Sequence, residues 1–427
     1  MKILKKIYSN NIFKPYLIVA FKNSFYMGGG NLITQIVAFI GTIFFARLFG
    51  PKNYGIYATV IAFVMFFHIL TLPGLQKVIV REGSKDLEKF SNVLEDFFGL
   101  QIFCIVLAVV VCIMAVIWTD YSKTTKIYIV VFSLEIVYFG LDGFFRSIYQ
   151  ATEKMKYLAY FSIVTRGLGT GISIIILYFG AGVFAVLMVN LSSKFIVLIV
   201  NYIYSQKIIF FKKRIKLYLK NDFFRAAIVF SLMSFINSIA IKIDILMISL
   251  MSSDPKDVGI YNIAHEIARE GLMIRNVIAF AFFPVAVRIL SKKHVKSRTL
   301  FNYSFIAFLT VLFICFCAFP FVQNIVLYIF GPKYAQSGFI MKYLIFYLPF
   351  TFFTLPFTTV IQATHNESLL LGIYTISAIL NVFLNILLFH TLGLIGIAYS
   401  TIAVFLSQSV LIPLLSVKKM KNQGYLF

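Results

Sequence analysis

Long, unbroken apolar runs constrain this sequence more than any other feature. A helix needs roughly 20 apolar residues to cross the hydrocarbon core of a bilayer. The chain of 427 residues has twelve such runs. The first six lie near 24–49, 55–76, 97–118, 126–146, 157–179 and 182–205, the second six near 225–251, 259–288, 301–330, 336–361, 368–391 and 393–415. Strands of a membrane barrel would alternate at every second residue, and these runs do not. The predicted class is an all-α integral membrane protein of about twelve spans. Composition agrees. Charged residues make up 13%, about half the usual share for a soluble domain, and no segment between the runs is long enough for a soluble domain.

The net charge of +23 would suggest nucleic acid in a soluble protein. Here the cations sit at the ends of apolar runs, as a topology signal does, so no nucleic-acid partner is expected. One side collects Lys2, Lys5, Lys6, Lys14 and Lys22, then Lys77–Lys89, Arg146–Lys156, Lys207–Lys220, Arg288–Arg298 and Lys418–Lys421. The other holds only Arg47, Lys52, Lys123, Lys126, Lys256 and Lys333. The positive-inside rule then predicts both termini in the cytoplasm, which requires an even number of spans. The basic N-terminus is followed by a run too long for a cleavable signal peptide. Cys104, Cys112, Cys315 and Cys317 all lie inside apolar runs and lack metal-binding spacing, so neither a disulfide nor a metal is expected.

A short string recurs. Pro51-Lys52-Asn53-Tyr54-Gly55-Ile56-Tyr57 follows the first run, and Pro255-Lys256-Asp257-Val258-Gly259-Ile260-Tyr261 the seventh. Gly182-Val183-Phe184 and Gly396-Ile397-Ala398 echo each other more loosely. Chance matches are not rare in a chain so rich in Tyr and Ile, but both strings fall at the same place in each half. The reading is a parallel duplication of six spans, with lobes at 1–208 and 209–427 joined by a basic linker at about 205–221.

The segment Ala46-Arg47-Leu48-Phe49-Gly50-Pro51-Lys52-Asn53-Tyr54-Gly55 resembles the end of the first helix in bacterial polysaccharide exporters of the Wzx type, members of the multidrug/oligosaccharidyl-lipid/polysaccharide (MOP) superfamily. Leu75–Glu82, Phe145–Ala151, Asp244 with Val258–Ala264, and Asn381–Asn385 with Gly393, Gly396 and Ala398 resemble later family segments in the expected order. The resemblance implies two six-helix lobes arranged as a V in the bacterial cytoplasmic (inner) membrane. It implies alternating access that flips polyprenyl-pyrophosphate-linked oligosaccharide for O-antigen, lipopolysaccharide or similar surface polysaccharide. A proton or sodium ion and polysaccharide polymerase machinery are the implied partners besides membrane lipids. Arg47, Gly50, Pro51 and Gly55 are the motif positions, read as gating or family-motif residues, with Arg47 equally placed to hold the short outer loop together.

Ionisable groups at membrane depth are expensive and mark a pathway or a pair. Lys194, Arg275, Arg166 and Lys342 are candidate substrate-binding cations, because Arg and Lys facing a wet cavity can replace the hydration of a pyrophosphate. Arg166 and Lys342 can equally reach toward the interfaces. Lys242, Asp244, Glu266, Arg269 and Glu270 form a cluster read as either a salt-bridge lock or an ion-coupling site. Glu266 and Arg269, three apart, share a face, and Arg269 and Asp244 are placed to pair between adjacent helices. Glu135 is the single central acid of the first half. His68, His265, His294, His365 and His390 are scattered and read as structural or interfacial. Gly167 and Gly171 form a small-xxx-small pair for close packing. Pro284, Pro349 and Pro356 are expected to kink their helices.

No cofactor and no catalytic residue is expected, since short outer loops without clustered acids or histidines argue against a membrane enzyme. The leading function is the lipid-linked oligosaccharide flippase. The alternatives are a cation-coupled multidrug antiporter of the MATE type and a flippase for another cell-wall lipid precursor.

Overall fold

With no water in the hydrocarbon core to satisfy peptide groups, a spanning chain must bond its backbone internally, and this one does so with helices. The computed structural model describes residues 13–212, 221–290, 297–364 and 366–422. His294, His365 and much of the basic linker lie outside them. The helices are α1 (Phe13–Phe66), α2 (Gly74–Gly83), α3 (Phe90–Ile117), α4 (Lys123–Phe132), α5 (Leu134–Ala151), α6 (Met155–Tyr178) and α7 (Val183–Ile208), followed by α8 (Asn221–Met251), α9 (Pro255–Leu290), α10 (Ser297–Phe330), α11 (Ala335–Leu344), α12 (Tyr347–Ala363), α13 (Glu367–Leu392) and α14 (Leu394–Asn422). Among the described residues eight segments are long and apolar enough to cross a membrane, and the bent pair α11–α12 adds a ninth.

The outward faces are apolar. Phe313, Phe316 and Phe321 on α10 are 70, 60 and 61% exposed. Leaving such a side chain in water rather than burying it forfeits about 1.5–3 kcal/mol each. A surface of this kind suits lipid.

Three expected spans are interrupted. The second ends at Thr71 rather than near 76: a 3-10 turn, Phe67–Thr71, leads into Leu72 with a left-handed φ of 56°, and the separate helix α2 begins at Gly74. The fourth divides at Ser133, between α4 and α5. The tenth breaks between Leu344 and Tyr347, bending by 42°. Pro349 explains the last break. It has no N–H for the carbonyl of Ile345, so the helix opens there and not at the proline itself.

Gly50 explains the kink in α1. Its φ of 69° and ψ of 170° interrupt the helix, a conformation that glycine adopts at little cost. Pro51 then opens the next segment, where a missing N–H costs nothing. Phe330-Gly331-Pro332-Lys333 repeats Phe49-Gly50-Pro51-Lys52 in sequence, and Gly331 repeats its backbone at φ 92°, ψ 169°.

The helices form two compact units. The first contains the chain up to Phe49 and Phe63–Phe235, the second Gly50–Ala62 and Ile236–Phe427. In the first unit Leu75, Ile79, Phe90, Leu94, Phe144 and Ile148 make the core. Gly169 on α6 rests against Asn190 and Ser193 of α7, whereas Gly167 and Gly171, the expected packing pair, have open space beside them. In the second unit Phe357, Val360, Ile361, Ile373 and Ile412 are the centre of another core. Here the two Pro…Gly strings meet. A Cβ on Gly55 would stand 1.7 Å from the Pro255 carbonyl oxygen, and one on Gly259 2.0 Å from that of Pro51. Each glycine lies on the other string's proline carbonyl, a reciprocal crossing that no residue with a side chain permits.

Candidate functional site

The charged side chains buried within the units fall into separate clusters. In the first unit the centre is Glu135, in the opening turn of α5 just past the break at Ser133. Its Oε1 accepts from Lys194 Nζ on α7 at 2.7 Å, and its Oε2 from His68 Nε2 in the 3-10 turn at 2.6 Å. The His68 ring stacks on Phe139 with centroids 3.9 Å apart. Lys194 Nζ also lies 5.6 Å from the Phe132 ring centre and 5.5 Å from that of Tyr138, distances at which rings attract a cation. His68 is therefore a hydrogen-bond partner of a buried carboxylate.

The same face of α5 carries the polar groups onward, because residues 135, 138, 142 and 146 recur at helical spacing. Asp142 accepts from Asn201 Nδ2 at 2.9 Å and lies 3.6 Å from Arg146. Arg146 donates to Ser162 Oγ, and the Tyr149 hydroxyl to the Asn201 carbonyl.

In the second unit Glu266 on α9 stands between two cations, Lys242 Nζ on α8 at 2.6 Å and Arg269 Nη2 at 2.5 Å. The expected pairing of Arg269 with Asp244 does not form. Arg269 finds Glu266 one turn away on its own helix, where the spacing brings the two together without help from another element. Asp244 is held by neutral donors: Asn385 Nδ2 at 2.8 Å, Thr401 Oγ1 at 2.9 Å and the Tyr261 hydroxyl at 3.0 Å. Asn385 bonds in turn to Asn381 and Ser400. Glu270 is half-buried beside this cluster, with no ion-pair partner among the described residues.

A cavity of about 80 Å³ opens next to Asp244, lined also by His265, Arg269, Ser377, Asn381 and Thr401. His265 Nδ1 and Ser377 Oγ are buried without a protein partner. Buried polar atoms are nearly always satisfied, and this space is large enough for water.

The other expected cations are dispersed. Arg275, in the middle of α9, donates through Nε to the Thr351 carbonyl at 2.9 Å and through Nη2 to Thr358 Oγ1 at 3.4 Å. Both acceptors flank Pro356 on α12, and no carboxylate pairs with Arg275 among the described residues. Arg166 is exposed on α6, and Lys342 lies 5.5 Å from the Phe319 ring centre. Arg47 is exposed near the kink. Sequence reasoning passed over Asp142, Asn201 and Thr401, and it named His68, Tyr261 and Asn385 without placing them in a cluster. The polar side chains in otherwise apolar runs were the available signal for them.

Apolar outer faces around buried charge clusters define a polytopic membrane protein. Residues 20–290, more than half of the chain, match the family described as polysaccharide biosynthesis protein. The chain belongs to that family. Among solved structures it is similar to the lipid II flippase MurJ in an inward closed conformation, with a TM-score of 0.74 and 18% identity over 91% of this chain and 86% of that one. It is also similar to an inward-facing multidrug resistance MATE family transporter of the MOP superfamily, with a TM-score of 0.69 and 14% identity over 91% and 95%. A third match is a MOP superfamily transporter from Pyrococcus furiosus, with a TM-score of 0.63 and 14% identity over 94% and 95%. At such identities the likeness is one of fold, the all-α fold of the MOP superfamily. No curated protein matches the sequence.

Proposed function

We propose that this protein moves an anionic, polyprenyl-pyrophosphate-linked oligosaccharide across the bacterial cytoplasmic membrane by alternating access of its two six-helix lobes, with both termini in the cytoplasm. Membership of a polysaccharide biosynthesis family and a fold shared with a lipid II flippase support the reading. The observation that carries it is Arg275. A guanidinium at membrane depth whose partners are a carbonyl and a hydroxyl keeps a positive charge that no carboxylate among the described residues neutralises. Such a charge is costly unless it serves a pathway, and pyrophosphate is the anion a guanidinium binds bidentately. Lys194, Arg166 and Lys342 are the further cations on offer. Asp244, a carboxylate with only neutral donors beside a water-sized cavity, is the proposed seat of a coupling proton or sodium ion. Delivery to a polysaccharide polymerase for O-antigen or a similar polymer completes the reading.

Depletion of the protein from its host tests this. Lipid-linked oligosaccharide should build up on the cytoplasmic leaflet while surface polysaccharide is lost. Restoring Arg275→Ala or Lys194→Ala at matched protein level should leave membrane insertion intact and transport lowered about tenfold or more, the loss of one charged hydrogen bond. Full transport by both variants would remove the cation proposal. Normal surface glycans with raised sensitivity to small toxic cations would shift the reading to a multidrug antiporter.

A further inference from the structure

The His68–Glu135–Lys194 triad contains one group whose charge depends on pH. Glu135 offers one oxygen to each base. Lysine is charged at any physiological pH, whereas an imidazole is charged only when protonated. Glu135 is 8% exposed, His68 12% and Lys194 24%, so Lys194 is the member that meets its surroundings. Its ammonium is flanked by the Phe132 and Tyr138 rings, a seat for a cation beyond Glu135. The other groups facing His68 are few. The turn that carries it packs on α3 and α5. From α3 comes Gln101, whose amide is bound to the Thr71 carbonyl. From α5 come Glu135 and Phe139, with Asp142 and Arg146 farther along the same face. From α7 comes Lys194.

We propose that His68 is the proton-taking partner of Lys194: when a phosphate-type anion draws Lys194 away from Glu135, a proton from solvent enters His68 and keeps Glu135 paired. This rests on the anionic-substrate reading given above. The physical reason is the carboxylate. If Lys194 leaves, Glu135 becomes an uncompensated charge in a poorly hydrated site, which is expensive. His68 already shares a hydrogen bond with it, so protonation turns an existing contact into an ion pair without moving any helix. Anion binding and proton uptake are then one event. By linkage each strengthens the other, and anion affinity falls by up to about tenfold per pH unit as pH rises through the range in which binding takes up the proton.

The test uses the full chain in lipid nanodiscs, with farnesyl pyrophosphate as the probe. Calorimetric titration in two buffers of different ionisation enthalpy, over about pH 6 to 8, reads the protons taken up per anion bound. Because the probe itself titrates, the readout is the wild type minus His68→Gln, a change that keeps a hydrogen-bond donor for Glu135. The expected difference approaches one proton, with binding retained in the variant and its pH dependence flattened. A second variant, Glu135→Gln, should bind the probe more tightly near the upper end of the range and show the same loss of uptake. Equal proton uptake in wild type and both variants overturns the proposal and leaves the anionic-substrate reading standing. Failure of the wild type to bind the probe at any pH overturns both.

Discussion

The two units contain the same device in different chemistry. Each has one carboxylate between two bases at ion-pair distance: Glu135 with Lys194 and His68 in the first, Glu266 with Lys242 and Arg269 in the second. The lysines match and the second base does not. Arg269 is charged at every physiological pH, so the second triad is a fixed structure with one net positive charge. His68 is not, so the first triad is neutral or positive according to its proton. The construction also differs. The Glu266–Arg269 pair is one turn of a single helix, while the members of the first triad are 59 and 67 residues apart. A local pair is set early and stays set; a pair made across three elements depends on how they pack.

The largest effect separating the triads should come from their carboxylates. Glu266→Gln strands two permanent cations, and Glu135→Gln strands only one. Removing one partner of a buried pair costs about 3 kcal/mol or more. Thermal unfolding in nanodiscs should therefore show the greater loss for Glu266→Gln, and equal losses would break the comparison. A smaller effect is expected from exchanging the second bases. His68→Arg should give the first triad a fixed charge and remove any pH dependence of transport around neutrality. Arg269→His should do the reverse. A histidine stabilised there by Glu266 supports the fold below about pH 6.5, and its contribution fades as pH rises through its raised titration range. A stability curve that stays flat for Arg269→His would show that Lys242 alone satisfies Glu266. The smallest effect belongs to Glu82, whose partners Arg81 and Lys85 are 47% and 63% exposed. Glu82→Ala should shift stability by no more than about 0.5 kcal/mol, which sets the scale for an ion pair in water.

Much of the fold was legible because its causes are local. Each apolar run corresponds to a helix or a broken helix pair, and Gly50 followed by Pro51 announced the kink in α1. The break in the span near 336–361 was legible too, in Pro349, had its effect been placed four residues upstream, at the carbonyl to which it cannot donate. The break at Ser133 had no such sign. Within the site, the three-residue spacing of Glu266 and Arg269 already implied their contact. His68 did not stand out, since a lone histidine at the end of an apolar run has no sequence partner, and Glu135 was visible as an intramembrane acid without a base. The reciprocal seat of Gly55 and Gly259 was visible only as a repeated string.

The sequence by itself determined that this chain lives in a bilayer and where its apolar helical runs lie to within a few residues. Those follow from hydrocarbon thickness and backbone hydrogen bonding, which act over about 20 residues at a time. Only the tertiary structure decided which charge meets which. Asp244 meets Asn385 and Thr401, 141 and 157 residues away, rather than Arg269, and Glu135 holds both Lys194 and His68. An ion pair between helices depends on side chains placed within a few ångströms by packing along their whole length, and no local pattern in the chain encodes that distance.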